Sequence, residues 1–179
     1  MRAIVGIRSR VAWLAAALLP AAAVATAGGP DEAFRRASAS ADVAEISLGK
    51  VRRWLDEVAL KRIDPKTGLY KADGGWTYRD TAADCYPFLV WAAWATDPSA
   101  LDGPVRRVLH AERRLCNALG RIPASYDFKA GRPRKEPLGA MIFGASEYVK
   151  DGLIAIVEVT GRDEWFDRMR AVTDDVWDR

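Results

Sequence analysis

The sequence predicts an all-α fold whose helical hairpins form part of an (α/α) toroid. Three observations carry that reading. Segments with apolar residues at helical spacing alternate with segments that are apolar on every side. Pro, Gly and Asp cluster between them as helix stops and starts. No strand-like alternation, Gly-rich phosphate loop, heptad run or fixed-length repeat competes. In a ring of hairpins each inner helix is covered by neighbours on both sides, while each outer helix shows one face to water. The order amphipathic, apolar, amphipathic, apolar, amphipathic is what such a ring requires.

The first 27 residues read as an address. Arg2, Arg8 and Arg10 make a positive start, and Val11 to Val24 is an apolar run broken by Pro20. Two small-x-small sites follow, Ala23-Val24-Ala25 and Ala25-Thr26-Ala27, and Gly28-Gly29-Pro30 then stops any helix, which favours cleavage after Ala27. A run of about 15 apolar residues falls short of the roughly 20 that span a bilayer. The expectation is a cleaved signal peptide, a secreted or periplasmic protein with no stable membrane span, and one domain over residues 28–179. The chain has 27 Lys and Arg against 24 Asp and Glu, and setting the three leader arginines aside leaves 24 against 24. A neutral balance carries no footprint for a phosphate backbone, so no nucleic-acid partner is expected.

The helices are justified in turn. From Asp31 to about Leu60, Val43, Ile46, Val51, Trp54, Leu55 and Val58 form a narrow stripe to be buried. Asp64-Pro65-Lys66-Thr67-Gly68 stops this helix, and Gly74-Gly75 marks another turn. Thr81 to Ala95 is apolar all round, beginning near Asp84 if Pro87 sits in its first turn and kinking at Pro87 if it begins at Thr81. A third helix is expected from Asp102-Gly103-Pro104 to Gly120, with the stripe Val105, Val108, Leu109, Leu115 and Leu119. Residues 121–142, with Pro123, Pro133, Pro137 and several basic residues, read as a long loop with an extended piece at Ile122 to Phe128, and long loops are functional or disordered. A second apolar helix runs from Glu147 to Thr160 with Ser146 as cap and Gly161 after it. Asp163 caps the last helix, which carries Trp165, Met169, Val172 and Val176.

The cysteines leave two readings open. In an oxidising compartment Cys85 and Cys116 pair as a disulfide if they lie at one height of a hairpin; otherwise they are two buried free thiols. With one His and two Cys, no metal site and no cofactor are expected. The single His110 reads as a surface or hairpin-contact residue.

Glycoside hydrolysis needs two carboxyl groups across the scissile bond. Asp80 with Asp84, and Glu147 with Asp151, are i, i+4 pairs at the starts of the two apolar helices, so each pair shares a helix face. Capping is the competing role for Asp80 or Asp84, and an ordinary polar rim, neutralised by Lys150, is the competing role for Glu147 and Asp151. Trp76, Tyr78, Tyr86 and Tyr148 fall beside these acids, where aromatic faces suit sugar rings but also fill junctions by plain packing.

The stretch Gly75-Trp76-Thr77-Tyr78-Arg79-Asp80-Thr81-Ala82-Ala83-Asp84-Cys85-Tyr86-Pro87-Phe88, with Ser146-Glu147-Tyr148-Val149-Lys150-Asp151-Gly152-Leu153, resembles the six-hairpin glycosidase-like (α/α) toroid proteins. The resemblance implies aromatic and acidic residues gathered at the mouths of inner helices to line a sugar-binding cleft. Asp80, Asp84, Glu147 and Asp151 are then the cleft carboxylates, and Trp76, Tyr78, Tyr86, Tyr148 and Lys150 the substrate contacts. It also implies twelve helices where this sequence shows five, so an incomplete toroid, the amino-terminal part of a longer chain, is expected. Uncovered helix faces would then promote self-association. The function expected is carbohydrate processing or binding; the alternative is a non-enzymatic helical-hairpin protein that binds a partner along a groove. A toroid acting on an isoprenoid lacks its acidic cluster.

Overall fold

Pro30, Asp31 and Glu32 open the first helix well: proline presets φ and the acids meet the positive end of the helix dipole. The computed structural model describes residues 29–72 and 75–178. The leader, its cleavage sites and Gly74 lie outside them. Helix α1 is Pro30–Trp54, continued by a wide π turn, Leu55–Ala59, and a tight 3₁₀ turn, Leu60–Arg62. The chain divides into two units at Ser47 and Leu48. In the first, the described residues are the early turns of α1, where Glu32 pairs with Arg35 and Arg36.

In the second unit α1 ends at the predicted turn. The Asp64 carboxylate accepts from Thr67 N at 2.8 Å, Thr67 Oγ1 at 2.9 Å and Lys66 N at 3.1 Å. Gly68 takes φ +78°, which glycine adopts without a Cβ penalty. The expected stripe is corrected in part: no residue of Pro30–Trp54 is fully buried and Val43, Ile46, Trp54 and Val58 are exposed, while Val51 packs half-buried against the core and Leu55 and Ala59 of the following turn lie within it.

Helix α2 is a π stretch, Tyr78–Cys85, leading into Tyr86–Thr96. It starts before both predicted starts. Thr77 is the cap: its hydroxyl accepts from Asp80 N at 2.8 Å and meets Asp80 Oδ2 at 3.1 Å. Pro87 cannot donate to the preceding turn, and the helix is widened immediately before it. Helix α3 comprises Pro98–Ala100, Leu101–Val105 and Arg106–Leu115. Asp97 caps it rather than Asp102, accepting from Ser99 N at 3.0 Å, and Pro104 is absorbed in the wide second turn.

The extended piece expected within the loop is present at Ile122–Pro123 and Tyr126–Asp127, as members of two small strand pairs. Leu115, not Gly120, ends α3, and strand β1 (Asn117–Leu119) turns back at Gly120, φ +58°, to pair antiparallel with β2 (Ile122–Pro123). Strands β3 (Tyr126–Asp127) and β4 (Arg132–Pro133) form a second antiparallel pair, and Trp76 bridges to Tyr126. Helix α4 then runs Leu138–Glu147, Tyr148–Leu153 and Ile154–Thr160. Ser146 is therefore inside a helix, its hydroxyl donating to Phe143 O, and Pro137 occupies the cap position. The glycines at 139 and 144 disguised this start. Gly161 at φ +72° ends α4 and Asp163 caps α5 (Glu164–Trp177), both as predicted. The described chain is thus five helices with two small strand pairs. No helix among the described residues is long and apolar enough to cross a membrane.

Helices α2 and α4 lie side by side in the same direction: Tyr78 packs on Gly144, Ala82 and Ala83 on Gly152, and Trp91 Nε1 donates to Ala155 O at 3.0 Å. Helices α3 and α5 are matched by polar pairs, Arg106 to Asp163, His110 to Glu164 and Glu112 to Arg168. His110 is thus the exposed interhelical contact expected of it. The Glu112–Arg168 pair is fully buried, and Arg168 also donates to Arg121 O and Asn117 Oδ1, each at 2.9 Å. Burial pushes the Glu112 carboxyl upward and the facing guanidinium opposes it. Arg121 in turn pairs with Asp175, so one polar column ties α3, β1, β2 and α5.

Not every apolar side chain finds the core. Phe88 is 70% exposed and Trp94 51%, and a trough of about 370 Å³ between α1 and α2 is lined by Leu48, Val51, Trp54, Phe88, Trp91, Ala92 and Ala95.

Two outcomes follow from these contacts. Arg168→Met strands the Glu112 charge and is expected to cost about 3–5 kcal/mol in urea unfolding, whereas Arg168→Met with Glu112→Leu recovers most of the loss. The hydrogen bonds to Asp64, led by that from Thr67 N, hold its carboxyl below the ordinary value of 3.8. The ionised form is favoured by folding, so its contribution is present above that value and is lost as pH falls through the lower folded pKa. The stability gap between the parent and Asp64→Ala should narrow correspondingly in acid, read by melts from neutral pH downward.

Candidate functional site

The start of α2 and the start of α4 meet because Gly144 has no side chain. A Cβ there would stand 1.7 Å from Cε2 of Tyr78, so only glycine admits the ring. Tyr78, 5% exposed, then reaches past α4, where its hydroxyl donates at 2.6 Å to Glu136 Oε2 and lies 3.2 Å from Ala140 O. Burial first, and the Glu136 carboxylate second, push the phenol well above the ordinary tyrosine value. It is a neutral donor at physiological pH. Glu136 also accepts from Ser125 N at 3.3 Å, which fixes its second oxygen.

These residues wall a pocket of about 250 Å³. Thr77, Tyr78, Arg79 and Asp80 come from α2, Ser125 from the segment after β2, Glu136 from the approach to α4, and Ala140, Phe143 and Gly144 from α4. Phe143 is 58% exposed and offers an aromatic face. Asp80 is both cap partner and pocket wall, with Arg79 Nε 3.2 Å from its other oxygen. Two carboxylates, a neutral phenol, a guanidinium and one open aromatic ring therefore converge at the positive ends of two helices.

The remaining predicted site residues divide differently. Asp84 is exposed on α2, one turn beyond Asp80 and outside the pocket, with no hydrogen bond or ion pair among the described residues. Glu147 and Asp151 are brought together on α4 by Lys150, whose Nζ lies 3.1 Å from Glu147 Oε1 and 3.2 Å from Asp151 Oδ2. Both acids raise the lysine pKa, which is the neutralised rim, and the trio does not line the pocket.

Of the four aromatic residues expected to contact substrate, only Tyr78 does line it. Trp76, Tyr86 and Tyr148 are core: Trp76 Nε1 donates to Tyr86 OH at 2.7 Å, and Tyr86 stacks edge-on with Tyr148 and Trp165 at ring separations of 6.4 and 5.9 Å. Their rings fill the space between helices, where burial of large apolar area outweighs a surface role. Cys85 and Cys116 are not joined in a disulfide; Cys85 is half-buried with its Sγ on Asp80 O and Cys116 is fully buried. Burial raises the Cys116 thiol far above its ordinary value and keeps it protonated. Among the described residues no group of three or more His, Cys, Asp or Glu is placed to hold a metal ion.

Glu136, Phe143 and Ser125 escaped the sequence reading. Ser125 and Glu136 fall in the stretch of residues 121–142, which read as a long loop, functional or disordered, and Phe143 lies just beyond it; Glu136-Pro137 just ahead of an apolar run was the sharper signal.

Gly144→Ala is expected to cost about 1–3 kcal/mol in urea unfolding, because the tyrosine ring and the α4 backbone must part. Gly139→Ala, which meets open space, should be neutral or stabilising by up to about 1 kcal/mol. No protein-family model matches the sequence, no curated protein matches it, and no solved structure matches the fold.

Proposed function

We propose that the chain is an exported carbohydrate-binding or carbohydrate-processing protein of the six-hairpin glycosidase-like (α/α) toroid kind. The observation that carries this is the single pocket at the joint mouth of α2 and α4, in which Asp80 and Glu136 face the same space as the Phe143 ring. Sugars present a C–H face to an aromatic ring and a hydroxyl edge to carboxylates, and this wall offers both. Asp80 and Glu136 replace Asp80 with Asp84 as the carboxylate pair closest to a substrate. If the site hydrolyses, these are the groups to divide between acid and base or nucleophile, with Tyr78 as the positioning donor that holds Glu136.

A different observation favours a second reading, a non-enzymatic hairpin protein. The trough between α1 and α2 is apolar along its length, and its form suits a third helix bearing an apolar stripe.

Titration calorimetry with a panel of oligosaccharides separates the two. The carbohydrate reading expects binding that falls about tenfold or more, roughly 1.4 kcal/mol, in Phe143→Ala, with a comparable loss in Asp80→Asn and an unchanged melting curve. No binding by any saccharide, or binding indifferent to both substitutions but lost in Trp91→Ser, would reject it.

A further inference from the structure

The hairpin of β3 and β4 carries four cations in seven residues: Lys129, Arg132, Arg134 and Lys135. All four are exposed, and none forms an ion pair among the described residues. Elsewhere in the unit Arg52, Arg106, Arg121 and Arg168 are each set against a carboxylate. The two acids nearest to hand in sequence are already engaged. Asp127 accepts from Lys129 N at 2.9 Å and Ala130 N at 3.0 Å, and these bonds hold its carboxyl low before Arg134 and Lys129 add to the effect. Glu136 is held by Tyr78 and Ser125.

The hairpin is an ordered arm. Arg134 N donates to Ser125 O at 2.7 Å and Gly131 N to Asp127 O at 2.8 Å. Tyr126 and Phe128 stack edge-on at 5.1 Å with Lys71 over the Phe128 ring, so the arm's base is packed. An anion docking there meets a backbone already ordered, and less conformational entropy is lost.

The arm is also continuous with the pocket. A cavity of about 760 Å³ is walled by Arg132, Arg134, Lys135 and Glu136, and a further one of about 350 Å³ by Asp127, Arg132, Arg134 and Lys135. Glu136 is shared between the first of these and the 250 Å³ site, and Arg132, Arg134 and Lys135 are shared between the two cavities of the arm. Cavities with common walls can hold several units of a chain, whereas a single small anion would fill only one.

We infer that this arm recognises the acidic groups of a glycan, carboxylate or sulfate, whose neighbouring residues occupy the Asp80–Glu136–Phe143 pocket. The inference rests on the carbohydrate reading above. A guanidinium pairs with carboxylate or sulfate through parallel hydrogen bonds, and Arg132 and Arg134 are the residues able to do so. A nucleic acid is the poorer fit, since its charge recurs at every phosphate and would bring negative groups against Asp80 and Glu136. A glycan can alternate an acidic unit at the arm with a hydroxyl-bearing unit at the carboxylates.

The test compares an oligo-uronide, a neutral gluco-oligosaccharide of the same length and a single-stranded oligonucleotide of the same charge. Each is titrated calorimetrically into the purified protein and into Arg132→Gln/Arg134→Gln/Lys135→Gln. The oligo-uronide should bind the parent about tenfold or more tightly than the neutral chain, more weakly as salt rises, and the triple variant should bind the two alike. Equal affinity of the parent for both saccharides overturns the inference and leaves the carbohydrate reading standing; failure of both saccharides overturns the two together. An oligonucleotide that matches the oligo-uronide overturns it in favour of a general polyanion surface. Should the triple variant melt early, Arg132→Gln and Lys135→Gln singly serve in its place, and an undiminished preference in both overturns it likewise.

Discussion

The contact on which the site depends is the close passage of α2 against α4 at Gly144 and Gly152. At the first glycine a tyrosine ring occupies the volume of the missing Cβ; at the second, a Cβ would stand 2.8 Å from Ala82 O and 3.0 Å from Ala83 Cα. The two glycines lie eight residues apart and so fall on one face of the helix. Glycine in a helix interior costs about 1 kcal/mol against alanine. Here the cost is offset by contacts that only a bare backbone permits, and the gain is positional: the Tyr78 hydroxyl arrives at Glu136, and the pocket forms between them.

A second constraint holds the outer layer. The Glu112–Arg168 pair has no solvent to share, and while Glu112 Oε2 and Arg168 Nε have no hydrogen-bond partner among the described residues, Asn117 and the Arg121 carbonyl meet part of its desolvation. Those two belong to the small strand pair, which explains why a mostly helical chain keeps one there. The turn at Gly120 brings backbone groups to an arginine on α5, and Asp175 on the same helix secures the far side of the turn.

Local chemistry was legible wherever a residue acts on its near neighbours. Asp163 capping α5, Gly161 ending α4 and Asp64 gathering the amides of its own turn are all short-range events, and the residue types announce them. Asp97 and Asp102 both precede a proline by one or two positions and read alike; Ser99, two residues past Asp97, and Arg52 across the space decided for the first. The π turns were not legible, because an extra residue per turn leaves no pattern in composition. Glu136 was hidden for a related reason: its two hydrogen-bond partners stand 58 and 11 residues away.

Periodicity along the chain was enough for the helical class, and local caps and turns were enough for the stop at Asp64, the stop at Gly161 and the start at Asp163, since both are properties of a few consecutive residues. Tertiary structure decided which aromatic residues face a pocket and which fill the core. Trp76, Tyr86 and Tyr148 have the same amphipathic character as a sugar platform, and only the neighbours that surround them remove them from the surface. It decided likewise that α4 begins at Leu138, because the glycines that weaken a helix in isolation are the ones another helix needs in order to approach.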